Sequence, residues 1–132
     1  MSDKSPPEQD GFVTGQLQDG ALVLSVTSRE IRDAQVSYAL RDQMIGLIDE
    51  HGSQQVVIDF EPVDFIGSVG LLALLGVRRR LNEAGGRVVI CNITGLIREM
   101  LSACRLISSD ASRAAVFETA ATRDEALAML RG

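Results

Sequence analysis

Histidine, cysteine, clustered cationic charge and long apolar runs are all scarce in this chain of 132 residues. Its 13 basic residues face 18 acidic ones, for a formal charge of −5, and the largest basic cluster is Arg78-Arg79-Arg80. That removes the electrostatic footprint of a nucleic-acid binder. The longest apolar runs, such as Leu71 to Leu75, fall far short of the roughly 20 residues that a membrane-spanning helix needs. Direct membrane insertion is therefore not expected. The single histidine, His51, sits beside Gly52 at an expected helix end, which leaves a Ser-His-Asp site without its base. Only two cysteines occur, Cys91 and Cys104, both in apolar periodic segments with no histidine nearby. They are expected to be buried as small hydrophobes rather than bridged or metal-bound, which suits a cytoplasmic protein. Neither a P-loop nor a G-x-G-x-x-G fingerprint is present, so the chain calls for no cofactor and no metal, and catalysis is not expected.

What is present is an ordinary globular composition, 45% hydrophobic and 23% charged. A chain of this length buries roughly two-thirds of its unfolded surface, enough for one self-sufficient domain. Met1 to Asp10 carries Ser, Pro, Glu, Gln and Asp without an apolar core and reads as a disordered tail, which leaves 11–132 as the domain. Asp19-Gly20 between two short apolar runs predicts an opening hairpin. Val36, Leu40, Met44, Leu47 and Ile48 recur at helical spacing over Ala34 to Glu50, with Gly52 as the stop. Gln55–Phe60 and Arg87–Asn92 are continuous apolar strands, and a helix over about Val69 to Ala84 joins them as a βαβ unit. Thr94 caps a further helix on which Ile97, Leu101 and Cys104 share a face. A polar stretch over Ile107 to Arg113 leads to a short strand around Val116 and Phe117, and Thr122 with Glu125 forms a capping box for a last helix. The order β-β-α-β-α-β-α-β-α makes this an α/β fold: a mixed sheet of four or five strands, opened by an antiparallel hairpin and carrying about four helices.

The segment Val56 to Arg80, VVIDFEPVDFIGSVGLLALLGVRRR, resembles the signature region of STAS-domain proteins, the family of bacterial anti-sigma factor antagonists. The likeness continues through Glu83-Ala84-Gly85-Gly86, the VVICN strand, Ile97 to Leu101, Cys104-Arg105-Leu106 and the closing helix from Thr122 to Leu130. It implies a mixed sheet with helices on one face and a partner-binding surface around the start of the second helix. The implied partner is an anti-sigma factor that is also a serine kinase, and the implied outcome is release of a sigma factor. In that family the turn usually reads F-I-D-S-S-G, and the serine immediately before the glycine accepts the phosphate. Here it reads Phe65-Ile66-Gly67-Ser68-Val69-Gly70, so Gly67 replaces the aspartate and Val69 stands at the usual acceptor position. Ser68 is the one hydroxyl left in the turn and the candidate acceptor. The resemblance also leaves room for a non-phosphorylated STAS subunit of a larger signalling or transporter assembly, and for a homodimer.

Read without the family, Ser68 has two roles open to it: an N-cap worth about 1 kcal/mol, or a regulated site at the positive end of a helix. Gly70, Ala73, Leu74, Val77, Leu81 and Ala84 form one helical stripe, as a sheet-facing side should. Leu71, Leu72 and Leu75 point away from it; they form a charge-rimmed apolar patch unless a neighbouring helix covers them, and Leu72 is the best exposed candidate. Taken with the turn that the resemblance implies is partner-binding, Ser68, Val69, Gly70, Leu71 and Leu72 are the expected contact centre, with Phe65, Ile66 and Gly67 shaping the partner-binding turn. Asp59 and Asp64 are expected to support the turn and to lie near Ser68, Asp59 through hydrogen bonds to the turn that follows it.

Overall fold

The computed structural model describes residues 11–106 and 116–131. The tail expected over Met1 to Asp10 and the polar stretch from Ile107 to Arg113 lie outside those residues. Strands β1 (Val13–Gln18) and β2 (Ala21–Val26) form the expected hairpin. Its two-residue turn places Asp19 at φ 53° and Gly20 at φ 82°, the positive pair that matches the twist of the flanking strands. After a two-residue strand β3 (Glu30–Ile31), helix α1 (Ala34–His51) starts where the Val36 N–H donates to the Asp33 carboxylate at 2.7 Å. It ends at Gly52, whose φ of 61° is the left-handed cap that glycine adopts without cost. His51 Nδ1 lies 2.9 Å from the Leu47 carbonyl, where a helix-end histidine belongs.

Strand β4 (Gln55–Asp59) leads through a second two-residue strand, β5 (Phe65–Ile66), into helix α2 (Ser68–Glu83). Strand β6 (Arg87–Cys91), helix α3 (Gly95–Ala103), strand β7 (Glu118–Ala120) and helix α4 (Arg123–Arg131) complete the described chain. The main sheet runs β1-β2-β4-β6-β7, parallel except for the hairpin, and β3 pairs with β5 in a separate parallel ladder. The sequence pattern contains no trace of β3 and β5, because two residues are too few to show a period. The last strand lies later than expected: Val116 and Phe117 precede it, with Phe117 buried and its N–H bonded to the Leu106 carbonyl at 2.7 Å.

The sheet separates two cores. Leu22, Leu24, Val56, Ile58 and Ile90 project to one face, where Leu40, Met44, Leu74, Val77, Leu81, Ile97 and Leu101 cover them. Val23, Val57, Val89 and Cys91 project to the other and pack on Ala126 and Leu127 of α4. Helices on one face only was the expectation; α4 corrects it, because strands that are apolar on both sides need a cover on each. Caps hold the later helices as expected. Thr94 Oγ1 accepts from the Ile97 N–H at 3.3 Å and Thr122 Oγ1 from the Glu125 N–H at 3.1 Å, while the Glu125 carboxylate accepts from the Ala121 N–H. Cys91 is buried, but Cys104 is exposed: α3 ends at Ala103, so Cys104 has left the helical face it was expected to share. No helix among the described residues is long and apolar enough to cross a membrane.

Candidate functional site

The site is built where β5 turns into α2. The Asp64 and Phe65 N–H groups both donate to the Arg29 carbonyl, at 2.7 and 3.3 Å, and the Gly67 N–H donates to the Ile31 carbonyl at 2.8 Å. These bonds lash the turn to β3 and fix where α2 begins. Ile31 and Ile66 are fully buried beneath it. Gly70 lies so close above them that a Cβ would sit 2.6 Å from Ile66 Cγ1 and 3.0 Å from Ile31 Cγ2. Glycine is therefore required at that position by space, and the contact brings the first turn of α2 down onto the ladder.

Gly67, with extended φ and ψ, is the N-cap of α2 and supplies no side-chain cap. Ser68 is thus the first helical residue rather than the cap, which corrects the capping role open to it in the sequence, and it is exposed. Leu71 is the first residue bonded back into the helix, to the Gly67 carbonyl at 3.1 Å. The N–H groups of Ser68, Val69 and Gly70 therefore precede the helical ladder, at the positive end of the helix dipole.

Of the three leucines expected to point away from the core, only Leu72 does so. It is 60% exposed, whereas Leu71 is buried and Leu75 packs half-buried against the main core. Both lie on the flank of α2 that carries Arg78, whose Nε donates to the Val116 carbonyl, whereas α1 meets the other flank, where its Asp49 carboxylate takes Arg80 at 2.8 Å. Val69 is half-buried, and Ala84 falls outside the helix as its exposed C-cap instead of completing the core stripe.

The two supporting aspartates are split between the faces of the molecule. Asp64 is exposed and paired with Arg29, through Nη2 at 2.6 Å and Nε at 3.0 Å; the bond raises the Arg29 pKa above its ordinary value. Asp59 projects to the α4 face, opposite α2, so the two carboxylates are not brought together at Ser68. Its Oδ1 accepts from the Glu61 N–H at 2.9 Å, the expected bond to the turn, and from Asn92 Nδ2 at 3.0 Å. Its Oδ2 accepts from Arg123 Nη2 and Nε at 2.9 and 3.1 Å, and Arg123 Nη2 also reaches Ser25 Oγ at 3.1 Å. Asp59 is a structural clamp between the sheet and α4.

Sequence reasoning missed two residues at the site. Arg32 lays its guanidinium 4.3 Å from the Phe65 ring centroid and pairs with Glu30 at 2.7 Å, a bond that lowers the Glu30 pKa. Arg29 flanks the same turn. Both follow β2 in a stretch without periodicity, and only the β3–β5 ladder brings them to α2.

Residues 14–126 match the STAS domain family. The chain is 31% identical over 90 residues to BtrV of Bordetella bronchiseptica, which is named an anti-sigma factor antagonist; the match covers 64% of this chain and 77% of BtrV. Among solved structures, an anti-sigma factor antagonist from Mycobacterium paratuberculosis superposes with a TM-score of 0.75 at 26% identity, covering 97% of this chain and 99% of that one. The Bacillus cell fate determinant SpoIIAA in its phosphorylated form shares the fold, with a TM-score of 0.63 at 19% identity over 90% of this chain and 99% of its own. The chain belongs to the STAS-domain family of anti-sigma factor antagonists.

Proposed function

We propose that this chain is a cytoplasmic antagonist that docks on an anti-sigma factor of the serine-kinase type through the first two turns of α2 and so releases the sigma factor which that partner holds. The observation that carries this reading is Leu72: a leucine left 60% exposed one helical turn after the exposed Ser68, on a helix start anchored from below by Gly70. Leu72 would enter the partner's surface, with Ser68 and Val69 at the contact and Phe65, Ile66 and Gly67 shaping the turn beneath it.

A phosphate on Ser68 would be tolerated within the chain by the free N–H groups at the helix start, yet it brings roughly 1.5 to 2 negative charges to the contact. Docking would then fail by repulsion and desolvation, without a change of fold. SpoIIAA is a relative in fold with a phosphorylated form. The absence of a hydroxyl at Val69 favours a second reading, a STAS subunit of a larger assembly that is never phosphorylated.

The test is affinity capture from the native host with the chain as bait, followed by mass spectrometry of the partners and of Ser68. Recovery of an ATP-binding serine kinase together with phosphate on Ser68 is expected. The same kinase with Ser68 unmodified would mean a permanently competent antagonist, and transporter or scaffold proteins in its place would overturn the reading.

A further inference from the structure

The exposed leucine does not stand alone on its face of the molecule. Helices α1 and α2 each lead back to the start of a parallel strand on the same side of the sheet, so they run in the same direction. Asp49 with Arg80 joins them toward their C-terminal ends, and nearer their N-terminal ends Arg41 of α1 lies against Gly76 of α2, where a Cβ would be 3.0 Å from Arg41 Cδ. Tyr38, one turn before Arg41, is therefore level with the opening turns of α2. It is 41% exposed, and the Arg41 guanidinium sits 4.9 Å from its ring centroid. On α2, Ser68, Leu72, Gly76 and Arg79 recur at steps of four, four and three, which puts them on one outward stripe.

The charge of α2 opposes that of the chain. The protein carries −5 overall, yet α2 has Arg78, Arg79 and Arg80 and no acid before Glu83. Arg79 is exposed with no acidic partner among the described residues, and Arg41 has only its exposed sequence neighbour Asp42, at 3.0 Å. We infer that the antagonist's contact surface extends from the start of α2 across to α1, and that it fits a protein partner presenting an apolar side chain to Leu72 and Tyr38 with carboxylates facing Arg41 and Arg79. Aromatic and arginine side chains dominate contact energies of this kind, and complementary charge sets the rate of encounter. The inference rests on the docking reading above and assigns the partner's chemistry: a phosphate on Ser68 would share the stripe with Leu72 and repel those carboxylates.

The surface can be probed without the partner. The isotope-labelled full chain is titrated with two helical peptides of about 15 residues, one of glutamate and leucine, the other of lysine and leucine, and amide shifts are followed by NMR. Expected are shifts at Tyr38, Arg41, Leu72 and Gly76 with the glutamate peptide, binding about tenfold weaker in the Arg41→Glu variant, and the same loss in Arg79→Glu, which leaves the Arg41 packing on Gly76 intact. Equal binding of both peptides, shifts confined to other faces, or unchanged affinity in both variants would overturn it. Capture of transporter proteins alongside a positive peptide result would sink the docking reading alone. A kinase captured alongside a negative peptide result would sink this inference alone.

Discussion

Gly70 and Leu72 lie two residues apart on α2 and have opposite duties. Gly70 faces inward, where its missing side chain lets the helix start sit on Ile31 and Ile66. Gly70→Ala would add about 1 kcal/mol of helix propensity, but it forces a methyl into a gap bounded by two β-branched side chains that have no flexible end to move aside. Overpacking of that sort costs typically 1–3 kcal/mol, so the variant should be less stable by about 1 kcal/mol in urea unfolding. Leu72 faces outward, and nothing in the fold depends on it. Leu72→Arg should leave stability within about 0.5 kcal/mol of the parent while weakening the captured anti-sigma factor's affinity by roughly thirtyfold, the effect of losing one hot-spot contact. Titration calorimetry with that partner checks it, and unchanged affinity would remove Leu72 from the interface.

At the scale of the element, α4 is held to the sheet by a small apolar contact and one ionic clamp. Ala126 and Leu127 supply the first, and the Asp59–Arg123 pair, with the Asp59 carboxylate only 4% exposed, supplies the second. Asp59→Ala removes the acceptor of four hydrogen bonds and strands the Arg123 guanidinium beside Ser25. Breaking a buried pair in this way costs about 3 kcal/mol, toward the low end because Arg123 retains access to water. Hydrogen exchange should then quicken in α4 before it does in α1 or α2, whose core lies across the sheet. None of this clamp was legible locally. The continuous apolar run over Val56 to Ile58 fits a strand that is covered on both faces or centrally placed, and a run without alternation does not say which face the following aspartate joins. Arg123 reaches Ser25 across 98 residues of sequence. Elements whose information is local were readable: the Asp19-Gly20 turn, the caps at Thr94 and Thr122, and the stripe of Gly70, Ala73, Leu74, Val77 and Leu81. The coverage of Leu71 and Leu75, the placement of Arg29 and Arg32, and the two-residue strands that assemble the site depend on neighbours distant in the chain.

The whole molecule is a sheet between two unequal cores, and its pH dependence should report on the smaller one at both extremes. On the acid side, Arg87 binds Glu118 through two bonds, 2.6 and 2.7 Å, across β6 and β7, and this holds the Glu118 carboxyl below its ordinary pKa. The unfolded chain therefore takes up that proton first. The stabilisation is complete above the ordinary glutamate range near pH 4.5 and is lost as pH falls through the depressed folded value. On the alkaline side, burial, reinforced by the facing Asp59 charge, pushes the Cys91 thiol up from 9.0 to about 12. Here the folded chain keeps its proton while the unfolded chain releases it, so stability is complete below pH 9 and declines as pH rises from there to about 12. Thermal unfolding followed from pH 3 to 11 should trace a dome. Glu118→Gln should flatten its acid limb and Cys91→Ala its alkaline limb. The Cys91 variant should also lower the plateau by about 1 kcal/mol or more, because the lost sulfur leaves a cavity against Val57 and Leu127. An alkaline limb that persists without Cys91 would place the titrating group elsewhere and leave the α4 core without a part in it.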